Sequence, residues 1–143
     1  MIVVVDTNIV FSAILNPKGK LNDLLLNSAT KYDFFTPTFL IHELISKHDK
    51  IKSVSGLSNR EINFLKRILF QSIHFIDPEL VLEKNWSKAF SLTKDVDEKD
   101  TPFVALALQL EGVLLTGDKK LTEALRKKDF TSIVSVKELL EKR

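Results

Sequence analysis

Cysteine is absent from the 143 residues, which excludes disulfides, thiolate-held metals and a Cys nucleophile together. Only three histidines occur, His42, His48 and His74, and no two of them have the i, i+4 spacing by which a helix presents a pair of imidazoles to zinc. A zinc enzyme is not expected. No apolar run reaches the length that crosses a bilayer. The amino terminus enters VVVD directly, without the basic segment, long apolar stretch and small-residue cleavage site of a secretory signal. A cytoplasmic protein with no membrane partner is expected. Repeats, low-complexity tracts and a second compositional zone are also lacking, so one domain over residues 1–143 is expected.

Hydrophobic residues make up 44% and charged residues 28%, the balance of a globular rather than a disordered chain. Against 19 acids stand 21 lysines and arginines, a net charge of +2 that suits an anionic partner without identifying one. The surplus gathers late, in Lys119, Lys120, Arg126, Lys127, Lys128, Lys137, Lys142 and Arg143. A solvated helix face would show the same surplus. Trp86 and the ten Phe residues fall mostly at core spacing and are read as core, not as platforms for nucleic-acid bases.

Short β-branched or aromatic runs alternate with helical periodicity. IVVV reads as a strand buried on both faces, ending at Asp6. Residues 7–29 read as helix with a break near Asn16-Pro17-Lys18-Gly19. DFFTP is a second strand, and Thr36-Pro37 predicts a helix opening with Pro at its first position, running through Glu43 toward Lys50. A polar turn at Ser53 to Gly56 precedes a helix opened by the capping box of Ser58 and Glu61. SIHFID is a third strand, and Asp77-Pro78 predicts the start of a helix holding Leu80, Val81, Trp86 and Phe90. After a charged loop, Lys94 to Asp100, comes a helix through Phe103 and Leu110, with Gly112 as its expected C-cap. VLLT is a fourth strand, Asp118 starts another helix, SIV is a weak fifth strand, and Ser135 with Glu138 caps the last helix. Alternation of this kind predicts an α/β fold, three layers with a mainly parallel five-stranded sheet between helices.

In such sheets ligands bind beyond the carboxyl ends of the strands. Asp6 and Asp118 follow strands one and four, Asp100 stands where a helix begins at that same edge, and Glu43 is expected two turns into its helix. All four acids can converge there. Clustered carboxylates repel one another without a cation, so an exposed cluster of these four predicts Mg²⁺ or a similar oxygen-seeking ion. A bound ion of this kind promotes phosphate chemistry. Thr7, Asn8 and Thr116 are small polar residues able to hold a carboxylate or a metal-bound water, and Asp97 could support Asp100 from three residues away. The ordinary roles stay open: Asp6 and Asp118 as N-caps, Asp100 beside a helix dipole, Glu43 as a surface acid.

At VVVDTNIVFSAI, LIHELIS and DTPFVALALQLEGVLLTGDKKL the chain resembles PIN-domain proteins and is similar to the VapC-type toxins of toxin–antitoxin pairs. The last segment carries the most specific likeness: Asp, Ala five positions on, Gly, then a short strand ending in Thr-x-Asp. The resemblance implies a ribonuclease site of Asp6, Glu43, Asp100 and Asp118 with Asn8 and Thr116 in support. It implies Mg²⁺ or Mn²⁺ as cofactor, RNA as substrate, a homodimer, and an antitoxin protein as partner. Lys119 and Lys120, next to Asp118, would contact the RNA backbone. Two other readings remain beside it. A haloacid-dehalogenase-like phosphatase also uses an Asp after strand one, but wants a second Asp where this chain has Asn8. A PIN-like module that binds RNA or a partner without turnover would retain RNA yet leave it intact.

Overall fold

The computed structural model describes residues 1–142. Five short strands, β1 (Ile2–Val5), β2 (Asp33–Pro37), β3 (Ile73–Ile76), β4 (Val113–Leu115) and β5 (Ile133–Val134), form one sheet in the order β3-β2-β1-β4-β5, every neighbouring pair parallel. The helices are α1 (Thr7–Leu15), α2 (Lys20–Asn27), α3 (Leu40–Ser46), α4 (His48–Ser55), α5 (Asn59–Gln71), α6 (Glu83–Thr93), α7 (Thr101–Leu110), α8 (Lys119–Lys127) and α9 (Val136–Lys142). The three-layer α/β/α arrangement expected from the sequence is the one observed.

Alternation along β1 divides the core. Val3 and Val5 face the layer built by α1 to α5 and α9, where Ile14, Leu24, Leu44, Ile51, Ile62 and Leu139 are buried. Val4 faces the layer of α6, α7 and α8, with Val104, Leu106, Leu121 and Leu125. A strand buried on both sides needs apolar residues at every position, which is why β1 reads as an unbroken run. The chain leaves β1 toward β2 and β3 on one side and reaches β4 and β5 on the other, so the strand order reverses between β1 and β4. Such a reversal opens a crevice at the carboxyl ends of the two strands. A phospho-receiver fold, with order 2-1-3-4-5, is thereby set aside.

Several local expectations are corrected. Pro37 does not open a helix; it is the last residue of β2, opposite Ile76. Asp33 N–H donates to the Met1 carbonyl at 2.8 Å, and every second residue of the strand faces the same way, so position 37 would serve the Val5 carbonyl. Proline has no N–H, and the Thr36 hydroxyl takes its place there at 2.9 Å. The helix therefore starts at Leu40, and Glu43 lies in its first turn rather than two turns in. It also ends early: Lys47 leaves helical geometry, and α4 begins on a new axis that buries Ile51. That helix continues through Ser55 and stops at Gly56, whose φ of 72° suits a residue without Cβ.

Asp77-Pro78 opens only a single 3₁₀ turn, Pro78–Leu80; Val81 is extended, and α6 starts at Glu83, leaving Leu80 and Val81 outside it. Gln109 of α7 accepts from Leu82 N–H and Asn85 Nδ2, fixing that later start from the neighbouring helix. Gly112 is not the left-handed residue after α7. Glu111 is, with φ 53°. Glycine is needed at 112 because a Cβ there would sit 2.7 Å from Ile2 Cγ2 and 2.8 Å from the Ile2 carbonyl oxygen. The capping pairs Ser58 with Glu61 and Ser135 with Glu138 form as the sequence indicates. Among the described residues no helix is long and apolar enough to cross a membrane.

Candidate active site

Asp6 is the first residue after β1 and the N-cap of α1: its Oδ1 accepts from Ile9 N–H at 3.0 Å. Its Oδ2 accepts from the Thr116 hydroxyl at 3.0 Å, a bond across the β1–β4 crevice between residues 110 apart. The same hydroxyl oxygen accepts from Asp118 N–H at 3.1 Å, and Asp118 in turn caps α8 through Leu121 N–H at 3.0 Å. One threonine thus ties together the turns that carry both aspartates. The capping role and the site position coincide: the cap fixes each carboxylate at the carboxyl edge of the sheet.

Asp100 stands at the start of α7, after a 3₁₀ turn capped by Asp97, whose Oδ1 accepts from Lys99 N–H at 3.0 Å. Burial, then the charges of Asp97, Asp6 and Asp118, push the Asp100 carboxyl up to about 7. Burial also raises Asp6, opposed by its hydrogen bonds from Ile9 and Thr116 and reinforced by the charge of Asp118. Glu43 joins from α3, accepting from the Thr7 hydroxyl at 2.9 Å.

An open cleft of about 710 Å³ is bordered by Asp6, Asn8, Glu43, Asp97 and Asp100. Asp118 borders a second hollow, which shares Asp6 and Asn8 with the cleft and adds Thr116. The structure therefore brings Asp6, Asp100 and Asp118 within mutual electrostatic reach, places Glu43 on the wall of the cleft that Asp6 and Asp100 also line, and leaves Asp97 beside Asp100. Lys119 lines a third hollow with Arg126 and Lys137, while Lys120 is exposed at the start of α8 and borders none of the three. Phe39, Lys47 and Lys99 also border the main cleft and were not singled out from sequence. Lys47 could have been found by its i+4 spacing from Glu43; Phe39 resembles a core residue, and nothing in its spacing marks it.

Among the described residues no three acids close around an ion by themselves. The donor set still fits a hard divalent cation that keeps waters and shares phosphate oxygens: the four acids offer carboxylate oxygens only. The ion pairs among the described residues, Arg126–Glu138 and Lys128–Asp95, do not involve any of them. Lys47 and Lys99 border the cleft without an ion pair to these acids among the described residues, and crowded carboxylates lacking such a partner favour either protons or a metal.

Comparison with known proteins agrees with this fold. The family model described as PIN domain matches residues 4–135. An uncharacterized protein of Methanocaldococcus jannaschii is 29% identical over 124 residues, covering 83% of this chain and 72% of the relative. The fold superimposes with a TM-score of 0.67 on a chain in the crystal structure of VapBC2 from Rickettsia felis bound to a DNA fragment from their promoter, covering 94% of this chain and 97% of that one at 15% identity. With nearly its whole length matched by the family model, the chain belongs to the PIN-domain family, whose members are generally nucleases.

Proposed function

We propose that this protein is a divalent-metal-dependent endoribonuclease of the PIN family, working in the cytoplasm as the toxin of a toxin–antitoxin pair, as a homodimer held in check by a separate antitoxin chain. The observation that carries the nuclease reading is the Asp6–Thr116–Asp118 linkage at the sheet's switch point, with Asp100 within electrostatic reach of both aspartates. The toxin–antitoxin part draws on the likeness to a chain of the VapBC2 complex.

Asp6, Asp100 and Asp118 would hold Mg²⁺ or Mn²⁺. Such an ion, when bound, supplies Lewis acidity toward phosphate and lowers the pKa of its water. Hydrolysis adds water oxygen to phosphorus, breaks the P–O3′ bond, and leaves a 5′-phosphate and a 3′-hydroxyl that takes up the proton. The protein's own part is positional. The Ile9 amide and the Thr116 hydroxyl fix both oxygens of Asp6, so that its remaining lone pairs point in set directions. Thr7 steadies Glu43, which would order water in the cleft. Lys119 and Lys120, exposed beside Asp118, attract the RNA backbone.

The test is cleavage of a panel of single-stranded and structured RNAs with Mg²⁺ or Mn²⁺, with and without chelator, by wild type and Asp6→Asn. Metal-dependent cleavage that disappears in the variant is expected, at a loss of at least about a hundredfold. Undiminished cleavage in a pure Asp6→Asn preparation would remove Asp6 from the site. RNA retained but never cut by folded, metal-loaded wild type would leave a binding module.

A further inference from the structure

The three hollows at the carboxyl edge form one path. The main cleft shares Asp6 and Asn8 with the middle hollow, and the middle hollow shares Thr116, Gly117, Asp118 and Val136 with the last. Asp6 and Asp118 line the middle hollow, Glu43 and Asp100 line the main cleft beside Asp6, and the two ends differ in their aromatic content.

On the α3 side the wall is aromatic. Phe39 and Lys47 flank α3 at its start and its end, Glu43 lies in its first turn, and all three border the cleft. Phe39 is half-buried, and Phe103 packs against it edge-on with ring centroids 5.4 Å apart, which holds the ring in place. Pro102 extends the apolar surface. A volume of about 710 Å³ lies within the range of roughly 300–1,000 Å³ in which small ligands are held. On the α8 side the lining has no aromatic residue at all and carries Lys119, Arg126 and Lys137 beside Asp118, Glu123 and Glu138, with Arg126 paired to Glu138.

We infer that a single-stranded nucleic acid crosses this path with a base stacked on Phe39 on one flank of the acids, while the other flank is held by its phosphates alone, so that base preference is set on the Phe39 side. Phe39 is then a specificity residue for the nuclease reading above, on which this inference rests. Stacking needs an unpaired base, because a duplex keeps its bases against each other. Lys119 and Lys137, the cations of that lining outside the Arg126–Glu138 pair, would add affinity without choosing sequence.

The experiment moves one abasic residue stepwise along a single-stranded RNA that the protein cuts at one place, and follows KM and kcat separately. In wild type, KM rises about tenfold or more at a position on one flank only, as expected for a lost stack. Phe39→Leu shows a raised KM on the intact RNA and no further response to the abasic position, whereas Phe39→Trp restores the wild-type pattern. Lys119→Ala combined with Lys137→Ala weakens binding for every sequence and lowers the salt dependence, leaving the abasic response in place. In parallel, quenching of a 2-aminopurine base in the same RNA, read with chelator present, reports stacking without turnover. Quenching without cleavage under any metal would fail the nuclease reading and keep the stacking site. Equal abasic effects on both flanks, a Phe39→Leu response like that of wild type, or no quenching would overturn the inference. The abasic scan in wild type decides the matter even if a Phe39 variant fails to fold.

Discussion

At the scale of single residues, Thr116 does more than its size suggests. Its hydroxyl donates to Asp6 and accepts from the Asp118 backbone, so Thr116→Val removes both bonds while keeping the shape. Loss of a group that orients metal-binding carboxylates typically costs about 10- to 100-fold, and we expect a fall of that size in RNA cleavage, with folding retained on circular dichroism. Asp100 gives a prediction of opposite sign. Its folded pKa of about 7 lies above the ordinary value of 3.8, so the folded protein binds the proton more tightly than the unfolded chain. Metal-free protein therefore loses stability as pH rises from about 4 to about 7 and loses no more above that. Asp100→Asn lifts the penalty. In chelator it should be more stable than wild type above pH 7 by about 1 kcal/mol, allowing for the screening of a half-buried carboxyl, and equal to it near pH 4. Denaturant melts across that range check both ends, and equal stability at pH 8 would show that water already screens this carboxylate.

Elements follow from sequence wherever a local signal acts alone. The two capping boxes and the breaks at Asn16 and Gly56 are local chemistry, and they appear where the residues place them. Misplaced boundaries are those decided by a neighbour. Thr36-Pro37 has the look of a helix start, yet pairing with β1 and β3 keeps it in the strand. Pro78 also suits a helix start, yet Gln109 of α7 sets where α6 begins. Gly112 has the look of a C-cap and is instead the place where the chain entering β4 passes against Ile2. Gly112→Ala should therefore lower stability by about 1–3 kcal/mol, the usual cost of overpacking. A thermal melt at unchanged activity per folded molecule would confirm a packing cause, and no change in Tm would mean that β1 and β4 can separate freely.

Across the whole molecule, one sheet serves two cores, since Val3 and Val5 turn to one side and Val4 to the other. Loss of either core should then unfold the same unit. Leu44→Ala on one face and Leu106→Ala on the other, both essentially inaccessible to solvent, should each cost about 2–5 kcal/mol and shift one shared calorimetric transition. Two separate transitions would mean that the faces unfold independently and that residues 1–143 are not one cooperative domain. At this scale too the site comes into being: its acids derive from positions 6, 43, 100 and 118, and only the strand reversal between β1 and β4 places them at one edge.

By itself, the sequence determined the class of fold and singled out four acids that the structure brings to one edge of the sheet, because hydrophobic periodicity, capping chemistry and the family motifs around Asp6 and from Asp100 to Asp118 are all local properties of the chain. Tertiary structure alone decided which side chains meet. The Thr116 bond to Asp6 spans 110 positions, the raised Asp100 carboxyl reflects burial and charges brought in from other elements, and the aromatic wall at Phe39 exists only because the residue leading into α3 packs against Phe103 of α7. Contacts of that range depend on how the layers pack, and packing is a property of the assembled sheet and its helices rather than of any one segment.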